Sequence, residues 1–344
     1  MSLKTYLKDI ADAIREKTGK TDKINAKDFA TEIKNIQSGG GPENIDSLKA
    51  LLDYTKSTSY MFYNNKTITD LSGYIKKDCT ENVTDMSYMF YGCNALTTIS
   101  EMDTSNVTNM YNMFYNCSKL TTIPELDTGN VTSMYNMFYN CSKLTTIPEI
   151  DTSKVTNMSS MFNNCYVLTT IPKINTGNVI NMSKMFEGCS ALTTIPEIDT
   201  SNVTNMSYMF SNCSKLTTIS QLDIIKVTNM NYTFNRCSAL TNLTLYNIKV
   251  NLQIGSGTSY GTLLTQESLV NTCKECVKQS SARTLTVSTT SKTILDSIYV
   301  KFTDPSITTI AVDEKGDVEV CESTDTGAMT IAAYMTLKSW TLKA

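Results

Sequence analysis

The sequence predicts an α+β repeat solenoid with a helical N-terminal module and an α/β C-terminal cap, and three observations carry that expectation. Cys93, Cys117, Cys141, Cys165, Cys189, Cys213 and Cys237 recur every 24 residues without an insertion. Each follows a phenylalanine by three residues, from Phe90 through Phe114, Phe138, Phe162, Phe186 and Phe210 to Phe234. Both flanks of this array read differently from it. The expected organisation is a helical attachment module over residues 1–37, a Gly-rich linker over 38–46, about eight 24-residue repeats over 47–250, a linker over 251–262, and a capping α/β module over 263–344.

In the first module Leu3, Leu7, Ile10 and Ile14 share one helical face, "TGKTD" turns the chain, and Asn25 can cap a second helix carrying Phe29, Ile33 and Ile36. This predicts a helical hairpin or a short oligomerising stalk. The stretch "SGGGPENID" that follows has the composition of a flexible connection.

Within one repeat the apolar positions are Val107, Met110, Met113, Phe114, Cys117, Leu120, Ile123 and Leu126. Met110, Met113, Phe114 and Cys117 stand at i, i+3, i+4 and i+7, which predicts a short two-turn helix. Leu120, Ile123 and Leu126 keep a spacing of three, which suits an arc turning a corner. Pro124, Pro148, Pro172 and Pro196 each remove a donor from that arc, so a parallel strand is expected only over about "LTTI". Phe62 opens a diverged repeat with Asn65 at the cysteine position, and a four-residue insertion near "GYIKKDCT" separates it from the next. One repeat cannot bury enough surface to order itself, so stability must come from stacking. After "NLQIGSGTSYGT" the pattern changes to a helix in "TQESLVNTCKECVKQ", a strand in "RTLTVS", a helix near "SKTILDSIYVKF" and a closing segment "MTIAAYMTLKSWTL".

Composition excludes several functions. Thirty Lys and Arg against thirty-three Asp and Glu give a net charge of -3 with no basic run, so nucleic acid is not an expected partner. The chain has no histidine, which removes Ser-His-Asp and Cys-His arrangements and every His-containing metal site. Neither a signal-peptide core nor an apolar stretch long enough to span a bilayer is present. The expectation is a non-enzymatic protein without cofactors, made in a cytoplasm, not inserted in a membrane, and leaving by a non-classical route if it leaves.

Units of the type "MFYNCSKLTTIPELDT" resemble the BspA-like class of bacterial leucine-rich repeats, over about residues 55 to 250. The ribonuclease-inhibitor-type LxLxxN core is missing, so a wide concave sheet is not expected. Residues 7–36, "LKDIADAIREKTGKTDKINAKDFATEIKNI", are similar to N-terminal modules of phage and prophage tail- or baseplate-associated proteins, and the closing "WTLKA" resembles the C-terminal part of the same proteins. The resemblance implies an adhesin or receptor-binding protein of a virion tail, joined through its N-terminal module to a tail or baseplate protein and binding a bacterial surface glycan or protein. It also implies that the last module caps the stack. The alternatives are a bacterial cell-surface interaction protein of the same repeat class and, third, a tail-borne polysaccharide-degrading enzyme.

The varying positions flank the Met-Phe pair. Directly after the phenylalanine come Tyr63, Tyr91, Tyr115 and Tyr139, then Asn163, Glu187, Ser211 and Asn235. Two before it come Tyr60, Tyr88, Asn112, Asn136, Ser160, Lys184, Tyr208 and Tyr232, and three before it Tyr111 and Tyr135 join. On a helix these residues would form an exposed tyrosine ridge. The candidate ligand-binding residues are therefore Tyr63, Tyr88, Tyr91, Tyr111, Tyr115, Tyr135 and Tyr139, since exposed aromatic rows suit sugar rings or peptide side chains. The alternative is that each ring only covers its neighbour's edge. Three further features have bland readings: the cysteine column is a buried row of reduced thiols, the Asp103, Asp127, Asp151, Asp199 and Asp223 column forms Asx turns rather than a calcium site, and Cys273 with Cys276 lacks the second pair a thiolate zinc site needs.

Overall fold

The computed structural model describes residues 56–70, 80–250, 252–254, 264–276, 283–287, 289–303, 315–316 and 318–343. The expected helical module over 1–37 and the linker over 38–46 lie outside them. The chain divides into two compact units, Met1–Cys165 and Tyr166–Ala344. The first contains the repeats of Phe62, Phe90, Phe114, Phe138 and Phe162; the second contains those of Phe186, Phe210 and Phe234 and the C-terminal module.

The expected helix around Met110–Cys117 is not formed. The segment is instead a run of tight turns, because every second N–H is used by the next repeat. In the repeat of Phe114, Asn112 N–H donates to the Tyr135 carbonyl at 3.0 Å, Phe114 N–H to Met137 at 2.9 Å and Asn116 N–H to Tyr139 at 2.7 Å. The intervening amides close turns on their own repeat, Met113 to the Met110 carbonyl at 3.2 Å, Tyr115 to Asn112 at 3.1 Å and Cys117 to Phe114 at 3.1 Å. Positive φ at the third residue of a turn makes this possible, 55° at Asn112 and 61° at Asn116. Asparagine and glycine tolerate that conformation best, which explains why Asn136, Asn140, Gly92 and Gly188 recur at these offsets. At Gly92 a side chain would also run into the Asn64 amide oxygen.

Although the element differs, the inward face is the expected one. Val107, Met110, Met113, Phe114, Cys117 and Leu120 are fully buried, and Ile123 and Leu126 nearly so. Four-residue turns repeat their inward positions at the same spacing as a helix, so burial periodicity cannot separate the two. Successive phenylalanines stack at 5.5, 5.4, 5.5 and 5.6 Å from Phe62 to Phe162, and at 5.7 and 6.1 Å from Phe186 to Phe234.

The cysteines of the 24-residue column are free and buried. Within each unit the thiols donate to the phenylalanine carbonyl one repeat back, Cys117 to Phe90 at 3.0 Å and Cys141 to Phe114 at 3.1 Å in the first, Cys213 to Phe186 at 3.1 Å in the second. A small, weakly polar donor is what a dry interior carbonyl can accept there. Alkylation in native buffer should leave this column unmodified, and alkylation after denaturation should label it fully; mass spectrometry of digested peptides reads the difference. Labelling at native Cys141 would show that the stack opens.

Among the described residues, the "LTTI" strands form in the second unit and not in the first. β1, Thr218–Asp223, pairs in parallel with β2, Asn242–Tyr246. Ser220 and Thr244 occupy there the offset that holds Pro124, Pro148, Pro172 and Pro196 in other repeats, so the missing ladder donor is restored. The proline-bearing repeats are joined at this corner by threonines: Thr121 donates through both N–H and Oγ1 to the Thr97 carbonyl, each at 3.2 Å, and Thr145 repeats the pattern on Thr121.

The C-terminal module grows out of the stack in register. Thr265 lies 24 residues after Thr241. Its N–H donates to the Thr241 carbonyl at 2.8 Å, and its Oγ1 accepts from Ser268 N–H, capping helix α1, Gln266–Glu275. Ser268 Oγ accepts from Leu243 N–H, and the Glu275 carbonyl accepts from Ile248 N–H, so α1 satisfies backbone groups of the last repeat. The remaining elements form two small sheets. β3, Leu252–Ile254, β4, Arg283–Val287, and β8, Trp340–Lys343, make a parallel sheet in the order β3-β4-β8. β5, Tyr299–Phe302, lies antiparallel between β6, Val318–Cys321, and β7, Met329–Thr330. Helices α2, Thr289–Asp296, and α3, Ile331–Leu337, complete the module. Two expectations are corrected here: Leu252–Ile254 is a strand and not linker, and the helix near "SKTILDSIYVKF" ends at Asp296, with the apolar tail becoming β5. Both strands are fixed by partners more than fifteen residues away, which local spacing does not report.

Lys338 is wholly buried behind α1. Its Nζ donates to the Cys273 and Lys274 carbonyls at 3.1 and 2.7 Å and lies 4.2 Å from the Tyr334 ring centre. Burial pushes its amine from 10.5 down to about 7, against the opposing pull of Cys276, Cys273 and Glu275. The folded chain therefore sheds this proton near pH 7 while the unfolded chain keeps it to about 10.5, and stability rises with pH between those values. Protection of α1 amides against hydrogen exchange should increase by about 2 kcal/mol from pH 7 to 9, after correction for intrinsic exchange, and Lys338→Met should abolish that slope. A slope that survives in Lys338→Met assigns it to another group.

Candidate binding site

The first unit brings the predicted tyrosines together, in two rows. One row follows the sequence column: Tyr63, Tyr91, Tyr115 and Tyr139 stack with ring centres 4.9, 4.5 and 4.4 Å apart and planes within 15°. The second row crosses columns. Tyr60 stacks on Tyr88 at 4.6 Å, and both stand two before their phenylalanine. In the next two repeats that position is asparagine, and the ring comes from the residue before it: Tyr111 lies 5.2 Å from Tyr88 and Tyr135 lies 5.0 Å from Tyr111. The place of the ring is kept while its place in the sequence shifts. Tyr60, absent from the predicted set, is the eighth member, and the signal was its offset from Phe62, the same as that of Tyr88 from Phe90.

The ridge is less exposed than expected. Tyr63, at 41% accessibility, is exposed, whereas Tyr88, Tyr91, Tyr111, Tyr115, Tyr135 and Tyr139 are half-buried. Stacked rings cover one another's faces, so a ligand along the rows meets ring edges and hydroxyls. Burial, followed by the neighbouring Tyr139 and Tyr91, pushes the Tyr115 hydroxyl up to about 12, and burial also raises Tyr60, Tyr91 and Tyr111. These hydroxyls keep their protons at neutral pH and can donate as well as accept hydrogen bonds.

Stability does not account for Tyr60 and Tyr88 in the second row. Tyr60 and Tyr88 hold φ of 62° and 57°, a conformation that costs a residue with a Cβ about 1–2 kcal/mol. A stacked aromatic pair returns about 0.5–1.5 kcal/mol, which at best offsets that strain. Asn112 and Asn136 occupy the same offset with φ of 55° and 54°, a conformation asparagine adopts more readily.

Other candidates resolve differently. Asp103, Asp127 and Asp151 each accept the N–H two residues on, at 3.0, 3.1 and 2.8 Å, and Asp199 and Asp223 do the same in the second unit, so the acidic column is a column of Asx turns. Hydrogen bonds from Ser153 and Ser201 hold the Asp151 and Asp199 carboxyls below the ordinary value. Among the described residues no group of three or more Cys, Asp or Glu is placed to hold a metal ion. Cys273 and Cys276 are both fully buried, so Cys273 is a packing residue as well, and burial pushes its thiol up to about 12.

Residues 56–170 and 145–247 match the family described as Mycoplasma protein of unknown function, DUF285. The two matches together span more than half of the chain. The chain belongs to this family. No curated protein matches it. The DUF285 matches cover the repeats and all eight row tyrosines, and end before α1, so the C-terminal module stands outside the family region. Among the described residues of this DUF285 member, no helix is long and apolar enough to cross a membrane.

Proposed function

We propose that this protein is a non-enzymatic adhesin or receptor-binding protein that grips a bacterial surface glycan or protein along the tyrosine rows of its first unit. The supporting observation is the second row, in which Tyr111 takes over from the Tyr88 column and keeps the rings about 5 Å apart. A row that accepts backbone strain at Tyr60 and Tyr88 and is continued by Tyr111 and Tyr135 across a change of position points to what it contacts. Ring edges and protonated hydroxyls at a regular pitch suit an extended ligand lying along several repeats. The sequence resemblance adds the BspA-like repeat class and a phage or prophage tail as the carrier. A bacterial cell-surface protein of the same class is the second reading, favoured by a family description that names a bacterium. A gene neighbourhood of tail components decides between the two.

The test uses the full chain on an array of bacterial glycans and whole cells. Tyr91, Tyr115 and Tyr139 replaced together by Phe keeps the rings stacked and removes three hydroxyls. The melting temperature should stay within about 3 °C of the wild type, since the packed rings remain, while binding falls at least about ten-fold, the loss of 1.4 kcal/mol or more expected for several hydrogen bonds. Unchanged binding by the folded variant, or no binding by the wild type anywhere on the array, removes the rows as the site.

A further inference from the structure

We propose that the tyrosine rows are also a site of oxidative cross-linking, where a one-electron oxidant of the haem-peroxidase class joins rings of neighbouring repeats into dityrosine. Five pairs are arranged for it: Tyr115–Tyr139 at 4.4 Å and 2°, Tyr91–Tyr115 at 4.5 Å and 4°, Tyr60–Tyr88 at 4.6 Å and 9°, Tyr63–Tyr91 at 4.9 Å and 15°, and Tyr111–Tyr135 at 5.0 Å and 17°. Rings related by a near-pure translation keep each carbon about as far from its counterpart as the centres are. The carbons beside the two hydroxyls, where phenoxyl radicals couple, are thus held within a short rotation of contact. Half-exposed ring edges leave room for that rotation and give an oxidant access.

Most competing targets are shielded, with Met61 half-buried. Met86, Met89, Met110, Met113, Met134 and Met137 are fully buried, as are the column cysteines of this unit. All those thiols are free, so among its described residues the unit holds no disulfide and no covalent tie between repeats. Dityrosine would supply such ties without disturbing the core.

The chemistry balances as follows. Two phenols each lose one electron and one proton, the two radicals form one carbon–carbon bond, and the two carbons rearomatise by moving their hydrogens to oxygen. One hydrogen peroxide accepts the two electrons and two protons and becomes two waters. The holding of both partners in one geometry makes the coupling unimolecular, which favours it over coupling between molecules.

The experiment treats the full chain with horseradish peroxidase and limiting hydrogen peroxide, then follows dityrosine fluorescence, gel mobility and cross-linked peptides by mass spectrometry. The expected product is a monomer carrying links within the rows, with a yield per chain independent of protein concentration and roughly ten-fold above that in urea. Tyr115→Phe should delete the Tyr91–Tyr115 and Tyr115–Tyr139 links and leave Tyr60–Tyr88 intact. The proposal fails if no links form, if only concentration-dependent dimers appear, or if Tyr166, exposed and outside both rows, couples as often as the row residues.

Discussion

Phe138→Ala is expected to destabilise the first unit by about 3–5 kcal/mol, the cost of removing a fully buried phenyl group and leaving its cavity. Phe138 stacks between Phe114 and Phe162 at 5.5 and 5.6 Å, and its N–H donates to the Met161 carbonyl at 2.9 Å. Loss of the ring therefore exposes a face of each neighbouring repeat, and a stack held by nearest-neighbour contacts passes the damage along. Urea unfolding measures the total. Hydrogen exchange locates it, with faster exchange expected at Phe114 and Asn116 as well as at Phe138. Disturbance confined to the mutated repeat would mean that the repeats are stable individually.

Raising the pH should unfold the repeats cooperatively between about 9 and 12. Burial pushes the Cys93 and Cys237 thiols from an ordinary 9.0 up to about 12, and it raises Cys117, Cys141 and Cys213 well above 9.0. A group with a raised folded pKa contributes stability that is complete below its unfolded value, here 9.0, and is lost as pH climbs toward the folded one. The shifts of Cys93 and Cys237, one in each unit, correspond to about 4 kcal/mol each at the alkaline end, and the other column thiols act in the same direction against the roughly 5–15 kcal/mol that holds a domain folded. Lys338 works in the opposite direction, but it is one group, confined to the second unit, and its gain ends near 10.5. The cysteines win. Circular dichroism against pH should show the transition, and Cys141→Ser, which keeps a donor for the Phe114 carbonyl while removing an ionisable thiol, should move its midpoint upward. An unmoved midpoint in that variant would falsify the assignment to the thiol column.

How much of this was legible in the sequence depends on the range of the interaction involved. The 24-residue period, the buried Met, Phe, Cys and Leu columns and the Asx turns at Asp127 and Asp151 are all readable, because each depends on residue type at a fixed local spacing. The apolar spacing at Met110–Cys117 suggests a helix where the chain forms turns. A face at i, i+3, i+4 and i+7 records which side chains are apolar and says nothing of where the amides donate. Asn112 and Asn116, with positive φ, were the available warning, since two such residues four apart suit consecutive turns better than a helix. The contrast between Pro196 and Ser220 likewise foretold where β1 could form, once the strand was seen to need its neighbour's donor.

The site shows the same division. Residue type and spacing alone fix the repeat, its core and the tyrosines beside the Met-Phe pairs of the first repeats. Three-dimensional contacts settle that Tyr88 and Tyr111 belong to one row, that ring faces are spent on one another, and that Thr265 continues the ladder into the cap. Those outcomes are fixed by backbone angles and by contacts between residues some 24 positions apart, where the direction of a side chain depends on the rung it stacks against and not on its own neighbours in the chain.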